Sequence, residues 1–145
     1  MQIPLDSDGF MRRECPNCQE EFKWHQGPRD DAPDGFIYPQ VHWCPRCGRS
    51  APLQSWWTQA QIEYQQAVLA ASADDILSDA FKSVRSDFLR FEVNSSAKQR
   101  QPDPLVEPDD MLMIAPPCHP WEPVKVQSEA QGPFYCLLCG QAYAV

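Results

Sequence analysis

Three Cys-x-x-Cys pairs constrain this chain before any other feature: Cys15-Pro16-Asn17-Cys18, Cys44-Pro45-Arg46-Cys47 followed by Gly48, and Cys136-Leu137-Leu138-Cys139 followed by Gly140. Two thiolates three positions apart on a tight turn can grip one metal from the same side, and a glycine after the second lets the chain turn beneath the sulfurs without a Cβ clash. The first two pairs read C-x2-C-x25-C-x2-C. Cys15, Cys18, Cys44 and Cys47 thus form a four-thiolate set that closes a tetrahedral metal site and leaves no position for water.

The third pair lacks a matching first knuckle. Where one would sit, the chain has Cys118-His119-Pro120-Trp121, so three cysteines need a fourth donor. Imidazole is the natural substitute in a zinc site, and the expected set is Cys118, His119, Cys136 and Cys139. Seven cysteines and one histidine then supply eight donors for two tetrahedral ions. His25 and His42, beside Trp24 and Trp43, are the reserve donors should His119 point away, although a four-cysteine site needs neither. An open three-cysteine site with Glu122 as base is the catalytic alternative. Zinc deaminases place a Glu two residues after the first ligand and a Pro before the later pair, whereas Glu122 lies four after Cys118 and Tyr135 precedes Cys136. No catalytic residues are assigned on this basis.

Composition narrows the rest. Fifteen prolines in 145 residues, against about seven at average usage, favour turns and connectors over a large sheet or a long bundle. An odd cysteine count, the Cys-x-x-Cys spacing and a start, Met1-Gln2-Ile3-Pro4-Leu5-Asp6, with neither a basic nor an apolar leader region lead to an expectation of reduced thiolates in the cytoplasm. No stretch approaches the roughly 18 apolar residues of a membrane span. Net charge is −8, and residues 102–145 set Lys125 alone against six acids. Because nucleic-acid affinity rests on cations neutralising phosphates, that half is a poor reader of DNA or RNA. Arg12, Arg13, Lys23, Arg46 and Arg49 keep the possibility open in the first half.

Short strands are expected on both sides of the knuckles: residues 9–14, 20–24 and 41–43 in the first half, and 111–115 (buried), 124–126, 134–135 and 142–145 in the second. The turn-rich segment 26–35 between them reads as a surface loop. Thr58 with Gln61 makes a capping box, and Trp57 with Ile62 a hydrophobic staple, so a helix starts there. Ala71-Ser72-Ala73-Asp74 suggests a break into two helices. The second carries an apolar face that includes Leu77, Phe81, Val84 and Phe88. Residues 94–108, broken by Pro102, Pro104 and Pro108, read as a semi-rigid linker.

With Cys44-Pro45-Arg46-Cys47-Gly48 resembling a rubredoxin's second knuckle, the two terminal parts resemble the zinc-ribbon and rubredoxin-like superfamily, over about two-thirds of the chain. The resemblance implies fold and metal, not activity. The expected fold class is small, metal-stapled α+β: a four-cysteine ribbon over 1–57, a helical segment over 58–93, the linker over 94–108, and a ribbon with three Cys and one His over 109–145. Whether the ribbons touch stays open. Two Zn2+ are the expected cofactors, with iron an alternative at the first site. The leading expectation is a non-catalytic protein-binding module or homo-oligomer that associates through Leu77, Phe81, Val84 and Phe88. Rubredoxin-like electron transfer and a nucleic-acid-associated role follow behind it.

Overall fold

A computed structural model describes residues 2–83 and 100–145. The chain divides into two compact units, Ile3–Gln59 with Val106–Val145, and Ala60–Leu105 with Met1–Gln2. The class is small α+β, with one helix and eight short strands among the described residues: β1 Met11–Glu14, β2 Glu21–Trp24, β3 Val41–Trp43, β4 Ser50–Pro52, α1 Gln59–Ser83, β5 Met111–Ile114, β6 Val124–Gln127, β7 Phe134–Tyr135 and β8 Ala142–Tyr143.

In the first unit, the strands of both expected ribbons join in one antiparallel sheet of order β1-β2-β6-β5. Two hairpins, β1–β2 and β5–β6, meet through their inner strands, with Lys23 opposite Lys125 and Trp24 opposite Val124. The order reads the same from either edge, so the hairpins are related by a local twofold. Two further hairpins, β3–β4 and β7–β8, repeat the correspondence. The pairing of β2 with β6 answers the question that the spacing left open: the two halves touch.

Residues directly opposite in antiparallel strands share a face, and the two faces differ sharply. One row runs Met11, Trp24, Val124, Ile114. It belongs to a core completed by Phe22, Trp56, Val126, Phe134, Leu137 and Tyr143, with Phe22 edge-on to Trp56 at 5.7 Å. The adjacent row, on the opposite face, runs Arg12, Lys23, Lys125, Met113, and its cations are enclosed by acids. Lys125 Nζ donates to Asp6 at 2.8 Å and Asp8 at 2.6 Å; Lys23 Nζ pairs with Glu107 and Asp110, each at 2.9 Å, and donates to the Pro108 carbonyl. Arg12 binds Glu21, Glu107 and Asp110. The side chains of Asp6 and Lys23 are wholly buried, which is tolerable only because each is multiply paired. Burial works against the charged forms, but the hydrogen bonds outweigh it: Asp6 is held below its ordinary 3.8, Asp110 at about 2, and Lys23 and Lys125 above 10.5.

Three expectations change. α1 is continuous through Ala71–Asp74, because Ala is the best helix former and isolated Ser and Asp cost only about 0.5 kcal/mol each in a helix interior. Two helices are therefore replaced by one over the described residues. β5 is not a buried strand: it lies at the sheet edge, and Leu112 and Met113 are 58% and 48% exposed. The basic patch does not form a surface either. Lys23 and Arg13 are buried, Arg12 is held by three acids, and Arg46 donates to Gln127, which leaves Arg49 as the exposed member. Of the expected apolar face, Leu77 is exposed, and the side chains of Phe81, Val84 and Phe88 lie outside the described residues. No described helix is long and apolar enough to cross a membrane.

Candidate metal centres

The eight expected donors gather in two groups of four, Cys15/Cys18/Cys44/Cys47 and Cys118/His119/Cys136/Cys139, each with donor atoms within 4.8 Å of one another. In the first, Cys15 follows β1 and Cys18 lies in the turn leading to β2. Cys44 follows β3, and Cys47 lies in the turn toward β4. The turns aim backbone N–H groups at sulfur: Asn17 N–H donates to Cys15 Sγ and Arg46 N–H to Cys44 Sγ, both at 3.3 Å. Burial raises the Cys15 thiol pKa, but the N–H groups of Cys18 and Asn17 outweigh it and favour the thiolate. Burial pushes Cys18 up to about 11, and Cys44 rises further. Metal loading of the group therefore releases protons.

Donor spacing tests the fit. A tetrahedral zinc with Zn–S near 2.3 Å and Zn–N near 2.0 Å separates two sulfurs by about 3.8 Å, and a sulfur and a nitrogen by about 3.5 Å. The Cys15–Cys47 and Cys18–Cys44 sulfurs are each 3.7 Å apart, the Cys118–Cys139 sulfurs 3.6 Å, and Cys136 Sγ lies 3.4 Å from His119 Nδ1. All seven cysteines are free thiols. The residues fit a metal ion of this size in both groups.

These distances also map one group onto the other: Cys118 with Cys139 corresponds to Cys15 with Cys47, and His119 with Cys136 to Cys18 with Cys44. His119 thus stands in for Cys18. It presents Nδ1, the ring nitrogen nearer the backbone, which compensates for its position one residue after Cys118 rather than three. Phe36 and Trp121 stand edge-on to its imidazole with centroids at 5.8 and 5.2 Å, and Phe36 also meets Trp121 at 5.4 Å. Three packed rings restrict the rotation that would swing Nδ1 away. Phe36 comes from the long loop between the first two knuckles, so the first half helps to shape the second site. Its position just after a turn-rich segment gave no hint of this.

The groups also brace each other. The backbone N–H of Trp43, before Cys44, donates to the Leu137 carbonyl at 2.9 Å, and the backbone N–H of Tyr135, before Cys136, donates to the Pro45 carbonyl at 3.0 Å. Such reciprocity is the signature of a twofold interface. Each ring then covers the opposite knuckle's glycine. Gly48 and Gly140 have φ of +73° and +74°; a Cβ on Gly48 would fall 2.8 Å from the Tyr135 ring, and one on Gly140 2.5 Å from the Trp43 ring. Turn geometry explained these glycines from the sequence, but their second role needed the fold.

The reserve donors are engaged elsewhere. His42 is buried edge-on to Trp24 at 4.6 Å, and burial, reinforced by Arg13, lowers its pKa to about 4. His25 Nε2 stands 2.9 Å from Glu122 Oε1 without the alignment of a hydrogen bond. Glu122 is fully buried and accepts the indole N–H of Trp24, so its described contacts give no support to a base working at an open metal. Compared with protein-family models, curated proteins and solved structures, the chain matches none.

Proposed function

We propose that the chain is a non-catalytic interaction protein, with two structural zinc ions stapling paired ribbons and helix α1 carrying the binding face. Four donors in each group leave no position for water or substrate, which supports a structural role for the metals. The observation that carries the binding role is a line of exposed apolar side chains on α1. Ile62, Leu69 and Ile76 are 36%, 66% and 69% exposed, and Leu77 beside them 54%. Seven-residue spacing keeps the first three on one side of the helix, as in a coiled-coil seam. The occupant that fits is a partner's amphipathic helix with basic flanks. α1 carries Glu63, Asp74, Asp75 and Asp79 against Lys82, and the whole chain −8, so a second copy would meet like charge while a basic helix would not.

The test uses the zinc-loaded full chain as bait, beside a Leu69→Asp/Ile76→Asp variant. The expected result is a partner crosslinked through a basic helical segment and lost from the variant, with two zinc equivalents retained by both. A partner held equally by the variant, or a stable homodimer in light scattering, would remove this occupant. Rubredoxin-like electron transfer is the second reading, favoured by the N–H···S bonds at a four-thiolate group, which suit iron as well as zinc. Red protein that bleaches on reduction would establish it. Nucleic acid ranks last, since Lys23 and Lys125 are buried among acids.

A further inference from the structure

The two groups differ in how far solvent reaches their sulfurs. In the first, Cys15 and Cys44 are buried and Cys18 and Cys47 half-buried; in the second, Cys136 is buried, Cys118 half-buried and Cys139 exposed. The twofold correspondence makes the comparison direct: the Cys118–Cys139 pair occupies the place of Cys15–Cys47, with Cys118 half-buried where Cys15 is buried and Cys139 exposed where Cys47 is half-buried. Beyond the interaction role and independently of it, we propose that Cys118 and Cys139 are a hydroperoxide-oxidisable pair whose conversion to a disulfide empties the second site while the first keeps its metal.

The chemistry balances as a two-electron oxidation. The Cys139 thiolate attacks the terminal oxygen of a hydroperoxide; an S–O bond forms, the O–O bond breaks, and the alkoxide leaves and takes a proton to become an alcohol, or water where hydrogen peroxide is the oxidant. The Cys118 thiolate then attacks the Cys139 sulfenic sulfur, forming the S–S bond and expelling hydroxide. Their sulfurs are 3.6 Å apart and must close by about 1.5 Å to reach disulfide length. Cys136, fully buried, is the poorer participant. After the disulfide forms, Cys136 and His119 remain, two donors where a closed site uses four.

Two effects compete in choosing which site reacts. Four thiolates carry one more negative charge than three thiolates and an imidazole, which makes the first group's sulfurs intrinsically more nucleophilic. Attack also needs access: the most open sulfurs of the first group, Cys18 and Cys47, are half-buried, whereas Cys139 is exposed. Access dominates, because the peroxide must approach the sulfur in line with its O–O bond, and Cys139 is the one exposed cysteine of the seven.

The experiment loads the full chain with two zinc equivalents and adds hydrogen peroxide in steps. Free metal is followed with a chromophoric chelator, and disulfides by peptide mapping. One equivalent should leave with a Cys118–Cys139 disulfide, the second only after roughly tenfold longer exposure, and a dithiol with fresh zinc should restore both. Oxidation of the first group at the same rate, or a first disulfide containing Cys136, would overturn the proposal. Because a Cys139→Ser chain could simply fail to fold, the second measurement uses the unaltered zinc-loaded protein. Timed alkylation with iodoacetamide should label Cys139 ahead of all four thiols of the first group, the half-buried Cys18 and Cys47 included. Equal labelling across the two groups would equally sink the assignment.

Discussion

Replacing Gly140 by alanine separates two costs that the fold imposes on one residue. At φ near +74°, an L-residue costs about 1–2 kcal/mol over glycine. The new Cβ would also sit 2.5 Å from Trp43 Cδ1, where ordinary carbon contact begins near 3.5 Å, so the ring must retreat by about 1 Å. Overpacking of that kind costs about 1–3 kcal/mol, and the total is about 2–5 kcal/mol. Gly9 supplies the control: its φ is +83°, and a Cβ there meets nothing within 4 Å, so Gly9→Ala carries the backbone cost alone, about 1–2 kcal/mol. The measurement is stability at saturating zinc together with chelator competition for each site. Gly140→Ala should lose more than Gly9→Ala and should also weaken the first site, because the displaced Trp43 adjoins Cys44. Gly48→Ala should do the mirror-image damage to the second site through Tyr135. Knuckle-glycine variants no worse than Gly9→Ala, with each site affected only by its own glycine, would refute the crossed packing.

His119→Ala should lower the zinc content from two equivalents to about one, and His119→Cys should not restore full affinity, because a sulfur one residue after Cys118 lacks the reach of Nδ1; metal analysis decides both. Phe36→Ala should weaken the second site while leaving the first unchanged, seen as one early-releasing equivalent in chelator competition. Asp6→Asn should cost about 3 kcal/mol, the low end for breaking a buried pair, since Lys23 keeps Glu107 and Asp110, and Lys125 keeps Asp8. With Lys23 and Lys125 raised above 10.5, their contribution is complete below that pH and is lost as pH rises through the folded values. Asp6 and Asp110, held below 3.8, contribute fully above that value and fail as pH falls through theirs. Thiolate protonation releases metal before then, so urea titrations on the alkaline side give the cleaner test.

Local chemistry was legible where it is local. Cysteine spacing and the single histidine beside Cys118 grouped the donors as the fold does, and the cap at Thr58 placed the start of α1 at Gln59. The sheet was not legible, because Trp24 pairs with Val124 across a hundred residues and neither strand carries a mark of its partner. Lys23 read as a member of a basic patch and Lys125 as the one cation of an acidic stretch; their burial depends on Asp6, Glu107 and Asp110 arriving from distant segments. The continuous helix was missed because Ser72 with Asp75 three residues on has the spacing of a start signal, while the alanines around them are sufficient to carry the helix through.

The β2–β6 seam has a consequence for dilution. Two halves that meet across a twofold would, as separate chains, come apart as concentration falls. Here both halves lie on one chain, so their encounter is intramolecular and does not depend on the concentration of the protein. A half with empty donors would therefore stay beside its twin, and any metal it took up would be governed by the supply of that metal rather than by the abundance of the protein.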